Sequence, residues 1–306
     1  MDINNYAPKY GGLTGKHFLS LADFSPEEIY EILNTARLLK MKQHVGERQT
    51  SLLGKEILLI TKTSFSATRV ALEIAIKQLC GTSLVLNLSG SQLEALVEDK
   101  DILPAVNRYG VDGIAVNTEE WQDAILLKAH SPVPIINAHG SVGPCVALAA
   151  ILTLWEKFGR LKDLTVAVLG NMKKHNFFLQ AAVKCGMKVH AIAPEDFLPD
   201  DEFIDSTAIY GGIQTFESLE RGIVGCDGVF VSAGDNLGYD YLLTDDIMDK
   251  ANPNAIFLHP LPVDRDQEAE SAVADGPRSA MMDMAENLLH IEKAIFALTV
   301  GKSVNT

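Results

Sequence analysis

The stretch Glu56-Ile57-Leu58-Leu59-Ile60-Thr61-Lys62-Thr63-Ser64-Phe65-Ser66-Ala67-Thr68-Arg69 decides how this chain is read. It opens on a short apolar run of the kind that fills a parallel sheet, where both faces are covered and no polar alternation survives. A hydroxyl-rich turn follows, and the amphipathic stretch from Ala67 to Leu79 reads as a helix ended by Gly81. Downstream, Ser83–Leu88, Gly113–Val116 and Pro134–Asn137 are expected strands, with helical patterning between them. Such alternation implies parallel pairing through crossover helices. A long helix over about Pro144–Phe158 carries the chain onward, and the pattern restarts with strands at Thr165–Leu169, Lys188–Ala193, Gly228–Ser232 and Ala255–Leu258. Upstream, Ser25-Pro26-Glu27-Glu28 is a helix start, with a capping serine, proline at the first helical position and glutamate at the third. Ile29, Ile32, Leu33 and Ala36 continue that helix to about Lys40, and Ala285–Val300 forms a last amphipathic helix. The reading is a two-domain α/β protein with its boundary near the helix after Asn137.

Composition narrows the classes. The 306 residues suffice for two domains with substantial cores. Twenty-six Lys and Arg stand against 40 Asp and Glu, a formal charge of -14, so there is no basic surplus to displace counterions from nucleic acid. No apolar run approaches the roughly 20 residues of a membrane span. The opening Met1-Asp2-Ile3-Asn4-Asn5-Tyr6 lacks the basic start and apolar stretch of a signal peptide. Cys80, Cys145, Cys185 and Cys226 are widely spaced, which suggests neither zinc nor a disulfide framework and fits a reduced, cytoplasmic setting.

Four places could carry chemistry. The turn Gly170-Asn171-Met172-Lys173-Lys174-His175 has one glycine where a dinucleotide fingerprint needs three, which weighs against a nicotinamide or flavin despite Glu195 at a ribose-binding distance. The hydroxyls between Thr61 and Thr68 precede a helix, so they read either as an anion site or as an N-cap in a solvated loop. In Phe257-Leu258-His259-Pro260-Leu261-Pro262-Val263-Asp264-Arg265 the prolines cannot continue a sheet ladder, so they fix an irregular loop at the carboxyl end of a strand, where open α/β sheets bind ligands. Cys145, beside Pro144 at a helix start, reads as a small buried residue rather than a nucleophile.

The order of motifs resembles the ornithine/aspartate carbamoyltransferase family over nearly the whole chain. The resemblance runs through His17-Phe18-Leu19, Thr68-Arg69-Val70, Ser91-Gln92-Leu93, Arg108-Tyr109, Val133–Asn137 and Pro144-Cys145. It is most specific at His259-Pro260-Leu261-Pro262 with Arg265, at Asp275-Gly276-Pro277-Arg278-Ser279, and at Ala285-Glu286-Asn287 with His290 and Lys293. It implies two Rossmann-like parallel-sheet domains of carbamoyltransferase type. Residues 1–140 would resemble the carbamoyl-phosphate-binding domain and residues 141–284 the amino-acid-binding domain, with the C-terminal helix, 285–306, packing back on the first. It further implies a homotrimer with no cofactor and no metal, whose sites lie between subunits.

The same resemblance exposes departures. Members hold the phosphate of carbamoyl phosphate with Ser-Thr-Arg-Thr-Arg, an Arg after the third strand, and His-Pro-x-Gln. Here those positions read Phe65-Ser66-Ala67-Thr68-Arg69, Asn117 and Gly143-Pro144-Cys145-Val146. The loop Glu94–Glu98 carries no basic residue. On the acceptor side Ser232 replaces an Asp, Asn236-Leu237-Gly238 replaces Ser-Met-Gly, and Lys173-Lys174 replaces an Asn-rich turn. Each charge-assisted hydrogen bond contributes about 1.5–3 kcal/mol. Loss of two arginines, a histidine and a glutamine should therefore remove roughly 6 kcal/mol or more of binding.

The expectation is a divergent transferase-like enzyme on a small carboxylate or amino-acid ligand. His259 and Arg265 are its catalytic candidates, and Ser66, Thr68, Arg69, Ser232, Asn236, Leu237, Leu261 and Pro262 its substrate-binding candidates. Leu261-Pro262 resembles the cis-bonded loop whose carbonyl holds an acceptor amine. Arg265 would meet a carboxylate unless it pairs internally with Asp264, Asp266 or Glu268. Two other readings stay open: a non-catalytic member that binds a small molecule or a paralogous subunit, and a true carbamoyltransferase with a rebuilt site, in which Lys62, Lys173 or Lys174 replace the lost arginines.

Overall fold

A computed structural model describes residues 12–62, 67–118, 120, 122–139, 142–173, 176–235 and 237–301. The chain forms two compact units, residues 1–145 with 288–306, and residues 146–287. In chain order the first contains α1 (Pro26–His44), β1 (Glu56–Thr61), α2 (Ala67–Gln78), β2 (Thr82–Asn87), α3 (Gly90–Glu98), α4 (Ile102–Arg108), β3 (Val111–Asn117), α5 (Gln122–Lys128) and β4 (Ile135–Asn137). Helix α6 (Pro144–Phe158) leads into the second unit. There follow β5 (Thr165–Leu169), α7 (Phe177–Lys184), β6 (Lys188–Ile192), α8 (Asp201–Thr207), β7 (Ile213–Phe216), α9 (Leu219–Gly222), β8 (Gly228–Val231), α10 (Asp245–Met248), β9 (Ile256–Leu258) and α11 (Ser271–Ala274). Helix α12 (Met281–Thr299) begins in the second unit and ends in the first. No helix among the described residues is long and apolar enough to cross a membrane.

Both sheets are parallel throughout, in the orders β2-β1-β3-β4 and β7-β6-β5-β8-β9. Ile57, Leu58, Leu59 and Ile60 of β1 are all buried, as a strand covered on both faces requires. Ser25 caps α1 through a capping box in which its hydroxyl accepts from the Glu28 N–H at 3.3 Å and the Glu28 carboxylate accepts from the Ser25 N–H at 2.8 Å. The expected ends of α6 and β5 coincide with the observed ones. Two expectations need correction. Helix α12 starts four residues before Ala285, and β7 falls where no strand was expected. Gln214 and Thr215 are exposed on that sheet edge, so the segment never forms an apolar run.

Within the first unit, β3 runs against the end of α12. A Cβ on Gly113 would lie 2.8 Å from Val300 Cγ2, so glycine here admits the helix rather than weakening the strand. Helix α12 also buries His290, Glu292 and Lys293 almost completely. Lys293 Nζ donates to the side-chain oxygens of Gln43 at 2.9 Å and Gln78 at 3.1 Å, and burial pushes it down to about 8. Burial, aided by the charges of Lys293, Lys40 and His44, lowers His290 to about 3. Burial holds the Glu292 carboxyl well above its usual range.

These shifts give the stability a pH window. Between the ordinary carboxylate value of 4.5 and its raised native value, Glu292 keeps a proton that the unfolded chain releases, so stability falls as pH rises. His290 acts at the other end: the unfolded chain takes up a proton below 6.5 that the native ring refuses down to about 3, so stability falls as pH falls. Thermal unfolding of Glu292→Gln is expected to show a higher melting temperature than wild type at pH 8 and a gap that closes toward pH 4. The stability slope removed should be about 1.4 kcal/mol per pH unit, the linkage of a single proton. A constant gap across that range would show that Glu292 ionises normally.

Candidate functional site

In the first unit the chain leaves β1 for β2 on one side and returns to β3 on the other, which opens a crevice at the carboxyl ends of β1 and β3. Thr61 ends β1 and is buried, and Thr68 lies buried in the first turn of α2. Ser66 and Phe65 lie outside the described residues. Among the described residues, several polar groups around this crevice are bound to the protein itself. Lys62 pairs with Asp123 at 2.9 Å, and Arg69 Nε with Glu73 at 3.0 Å, one turn along α2. Asn117 Nδ2 donates to the Ala138 carbonyl at 2.7 Å, which ties the end of β3 to the loop after β4.

His139, on that same loop, is buried, and its Nδ1 lies 2.6 Å from the Thr118 carbonyl. A carbonyl only accepts, so Nδ1 carries the hydrogen. Gly143 sits directly against this residue: a Cβ there would come within 2.4 Å of the His139 carbonyl oxygen and 3.1 Å of its Cβ. Cys145 Sγ is 3.4 Å from the Asn137 carbonyl, and burial, with the nearby Glu292 charge, raises the thiol well above its usual value. It is therefore no nucleophile.

In the second unit the strand order reverses between β5 and β8. The loops after β5 and β8 pack so closely that a Cβ on Gly170 would lie 2.5 Å from Ser232 Cβ, and Asp235 Oδ2 accepts from the Asn171 N–H at 2.7 Å. Ser232 is buried and Leu237 packs half-buried against the core, while Asn236 and Lys174 lie outside the described residues. Lys173 is exposed. After β9, the Leu261–Pro262 peptide bond is cis. Leu261 is half-buried and Pro262 exposed.

His259 has no exposed surface. Its Nδ1 faces the Pro260 carbonyl and its Nε2 lies 3.0 Å from Glu268 Oε2. An imidazole enclosed in this way holds its loop and offers no face to a ligand, a different placement from the catalytic one expected of it. Arg265 also departs from expectation. Its guanidinium forms a bidentate pair with Asp275, Nε to Oδ2 at 2.9 Å and Nη2 to Oδ1 at 2.6 Å, and not with Asp264, Asp266 or Glu268. The pair is about half exposed, 46% and 58%, so solvent screens it.

A cavity of about 240 Å³ opens beside these loops, lined by Asp235, Tyr239, Asp264, Asp266 and Glu268 with two glycines and Gln267. Four carboxylates and no Lys or Arg line it among the described residues. Burial pushes the Glu268 carboxyl up, but hydrogen bonds from His259, the Asp264 N–H and the Gly234 N–H together hold it below the ordinary value. Asp235 and His139 escaped the sequence reading, which named Asp275 only within a family motif and Glu268 only as a possible partner of Arg265. Glu268 had a further signal, as an acid three residues after Arg265 on a loop already marked by its prolines.

Comparison with known proteins places these features. Residues 16–156 match the domain described as "Aspartate/ornithine carbamoyltransferase, carbamoyl-P binding domain", and residues 162–299 match the "Asp/Orn binding domain" of the same description. The chain is 32% identical over 311 residues to an ornithine carbamoyltransferase of Pyrococcus abyssi, covering 94% of this chain and 97% of that one. It is 31% identical over 301 residues to that of Agrobacterium fabrum, covering 94% and 98%. The structure is similar to ornithine carbamoyltransferase from Pyrococcus furiosus, with a TM-score of 0.85 at 29% identity over 94% of this chain and 98% of the other.

The close approach at Gly143 yields a prediction. Gly143→His is expected to destabilise the protein by about 1–3 kcal/mol, because its Cβ would overlap the His139 backbone, which cannot move aside as a side chain would. Urea unfolding checks this. An unchanged midpoint would mean that the 142–143 turn opens freely.

Proposed function

The chain belongs to the aspartate/ornithine carbamoyltransferase family, and within it we propose a divergent transferase-like enzyme that acts on a small amino-acid or carboxylate ligand, with ordinary use of carbamoyl phosphate impaired or lost. The observation that carries this reading is the commitment of the polar groups in the first unit's crevice. Asn117 is bonded to the Ala138 carbonyl, and Lys62 is neutralised by Asp123. A phosphate dianion needs donors aimed at it, and each one withdrawn costs about 1.5–3 kcal/mol of affinity.

On the acceptor side, the four-carboxylate cavity favours a ligand that carries an ammonium, and so an amino acid over a simple carboxylate. Arg265 takes the ligand's carboxylate by exchanging it for Asp275, an exchange eased by the exposure of that pair. Thr68 and Arg69, at the start of α2, remain the binding candidates of the first unit, and the Leu261 carbonyl remains the acceptor for the ligand's amine. His259 holds that carbonyl in place. The working form is a cytoplasmic homotrimer without a cofactor. Four free thiols support the reduced compartment. Exposed Val70, Ile74 and Leu84, on α2 and the edge strand β2, support a subunit contact.

Two measurements test this. With carbamoyl phosphate and either L-ornithine or L-aspartate, release of citrulline or carbamoyl aspartate is expected to stay far below the roughly 10 per second typical of enzymes. A turnover of that order would establish a rebuilt carbamoyl-phosphate site instead. In thermal shift, L-ornithine is expected to raise the melting temperature more than carbamoyl phosphate does, since a ligand stabilises the state it binds. Equal silence toward both would favour a member that binds only a partner subunit. Light scattering should give a trimer mass at micromolar concentration, and a stable monomer would remove the assembly from the proposal.

A further inference from the structure

One carboxylate joins two of the loops at the second unit's crevice. Glu268 Oε1 accepts the Gly234 N–H from the loop after β8 at 2.6 Å, while Oε2 accepts the Asp264 N–H from the loop after β9 at 2.7 Å. His259 Nε2, from the start of that same loop, lies 3.0 Å from Oε2. A third loop enters through Asp235, the neighbour of Gly234, whose Oδ2 accepts the Asn171 N–H after β5. The Glu268 side chain is only 10% exposed, although it lies on the cavity wall. Each of its oxygens accepts a backbone N–H from one loop.

We propose that Glu268 is a positioning residue: its carboxylate locks the Gly234 loop and the His259–Asp264 segment into one register, and so sets where the Leu261 carbonyl and the cavity wall stand. The two amides lie beyond the paired ends of β8 and β9, and Glu268 is the acceptor they share. Two backbone N–H groups from two loops are satisfied by a single ionised group, which only a carboxylate can do, because an amide would turn one of its own donors toward one of them. Aspartate would fall one methylene short of reaching both loops. The role in ligand binding rests on the reading of this crevice as the acceptor side, whereas the coupling of the loops does not.

Amide hydrogen exchange and NMR on the full chain test it. In Glu268→Gln, the Gly234 and Asp264 amides are expected to exchange about tenfold faster, the equivalent of one lost charge-assisted hydrogen bond, while β5 and β6 amides keep wild-type rates. In the wild type, the same two amide protons should move together as pH falls through the lowered Glu268 range. Asp235, Asp264, Asp266 and His259 face the same region, but neither amide bonds to them, so a shared midpoint reports Glu268. This wild-type measurement decides the matter if the variant fails to fold. By calorimetry, L-ornithine should bind Glu268→Gln at least about tenfold more weakly than wild type. Unchanged exchange, or wild-type amides that move independently, overturns the proposal. So does a variant with faster exchange but unaltered ornithine affinity, for then the carboxylate is only scaffold. If the wild type binds no ornithine while both amides respond as stated, the loop coupling stands and the acceptor-side reading falls.

Discussion

A parallel strand cannot be joined to its neighbour by a tight turn, and the rest of this protein follows from that. Every crossover must leave at the carboxyl end of one strand and return at the amino end of the next, so the strand-to-helix loops gather at one edge of each sheet. The faces of the sheets lie under helices, which leaves strands such as β1 and β8 apolar on both sides. The loops that follow the strands bring their polar side chains together at the carboxyl edge, where the order of strands reverses and two loops diverge. Both candidate crevices are consequences of connectivity before they are consequences of any particular residue.

What fills those edges is governed by hydrogen-bond accounting. A loop that turns away from a strand leaves N–H groups without ladder partners, and burying one unsatisfied costs about 1–3 kcal/mol. This chain repeatedly answers with carboxylates. At the amino ends of β1 and β5, Asp112 accepts from the Glu56 N–H and Asp227 from the Thr165 N–H; at the carboxyl edge, Asp235 accepts from the Asn171 N–H and Glu268 from two loops at once. Part of the acidic surplus is therefore internal carpentry rather than surface charge. Helix α12 shows the contrary solution. Where no donor among the described residues reaches the Glu292 carboxyl, burial drives it toward neutrality.

The fold was legible because hydrophobic periodicity is a local property. The strand at Thr165–Leu169 and the helix at Pro144–Phe158 announce themselves within a few residues, and the observed limits coincide with the expected ones. The edge strand Ile213–Phe216 did not, because a strand half open to solvent loses the apolar run that identifies it. The site was legible only as an address. The prolines around His259 marked an irregular loop at a strand end, and that loop is where the enclosed imidazole and the cis Leu261–Pro262 bond lie. Which partners its charged groups would choose could not be read, since Arg265 had several acids within reach in sequence and pairs with one ten residues away.

The sequence by itself determined the α/β class, the succession of strands and helices, and the family to which the chain belongs. Each of these rests on residue type and spacing along the chain. Only the tertiary structure decided what particular residues do: that Asn117 is tied to the Ala138 carbonyl, that Gly143 makes room for His139, and that Glu268 is bound to two loops. The physical reason is that a hydrogen bond or an ion pair is a choice among competitors separated by tens of residues. Distances of a few tenths of an ångström settle that choice, and they exist only once the backbone has brought the competitors together.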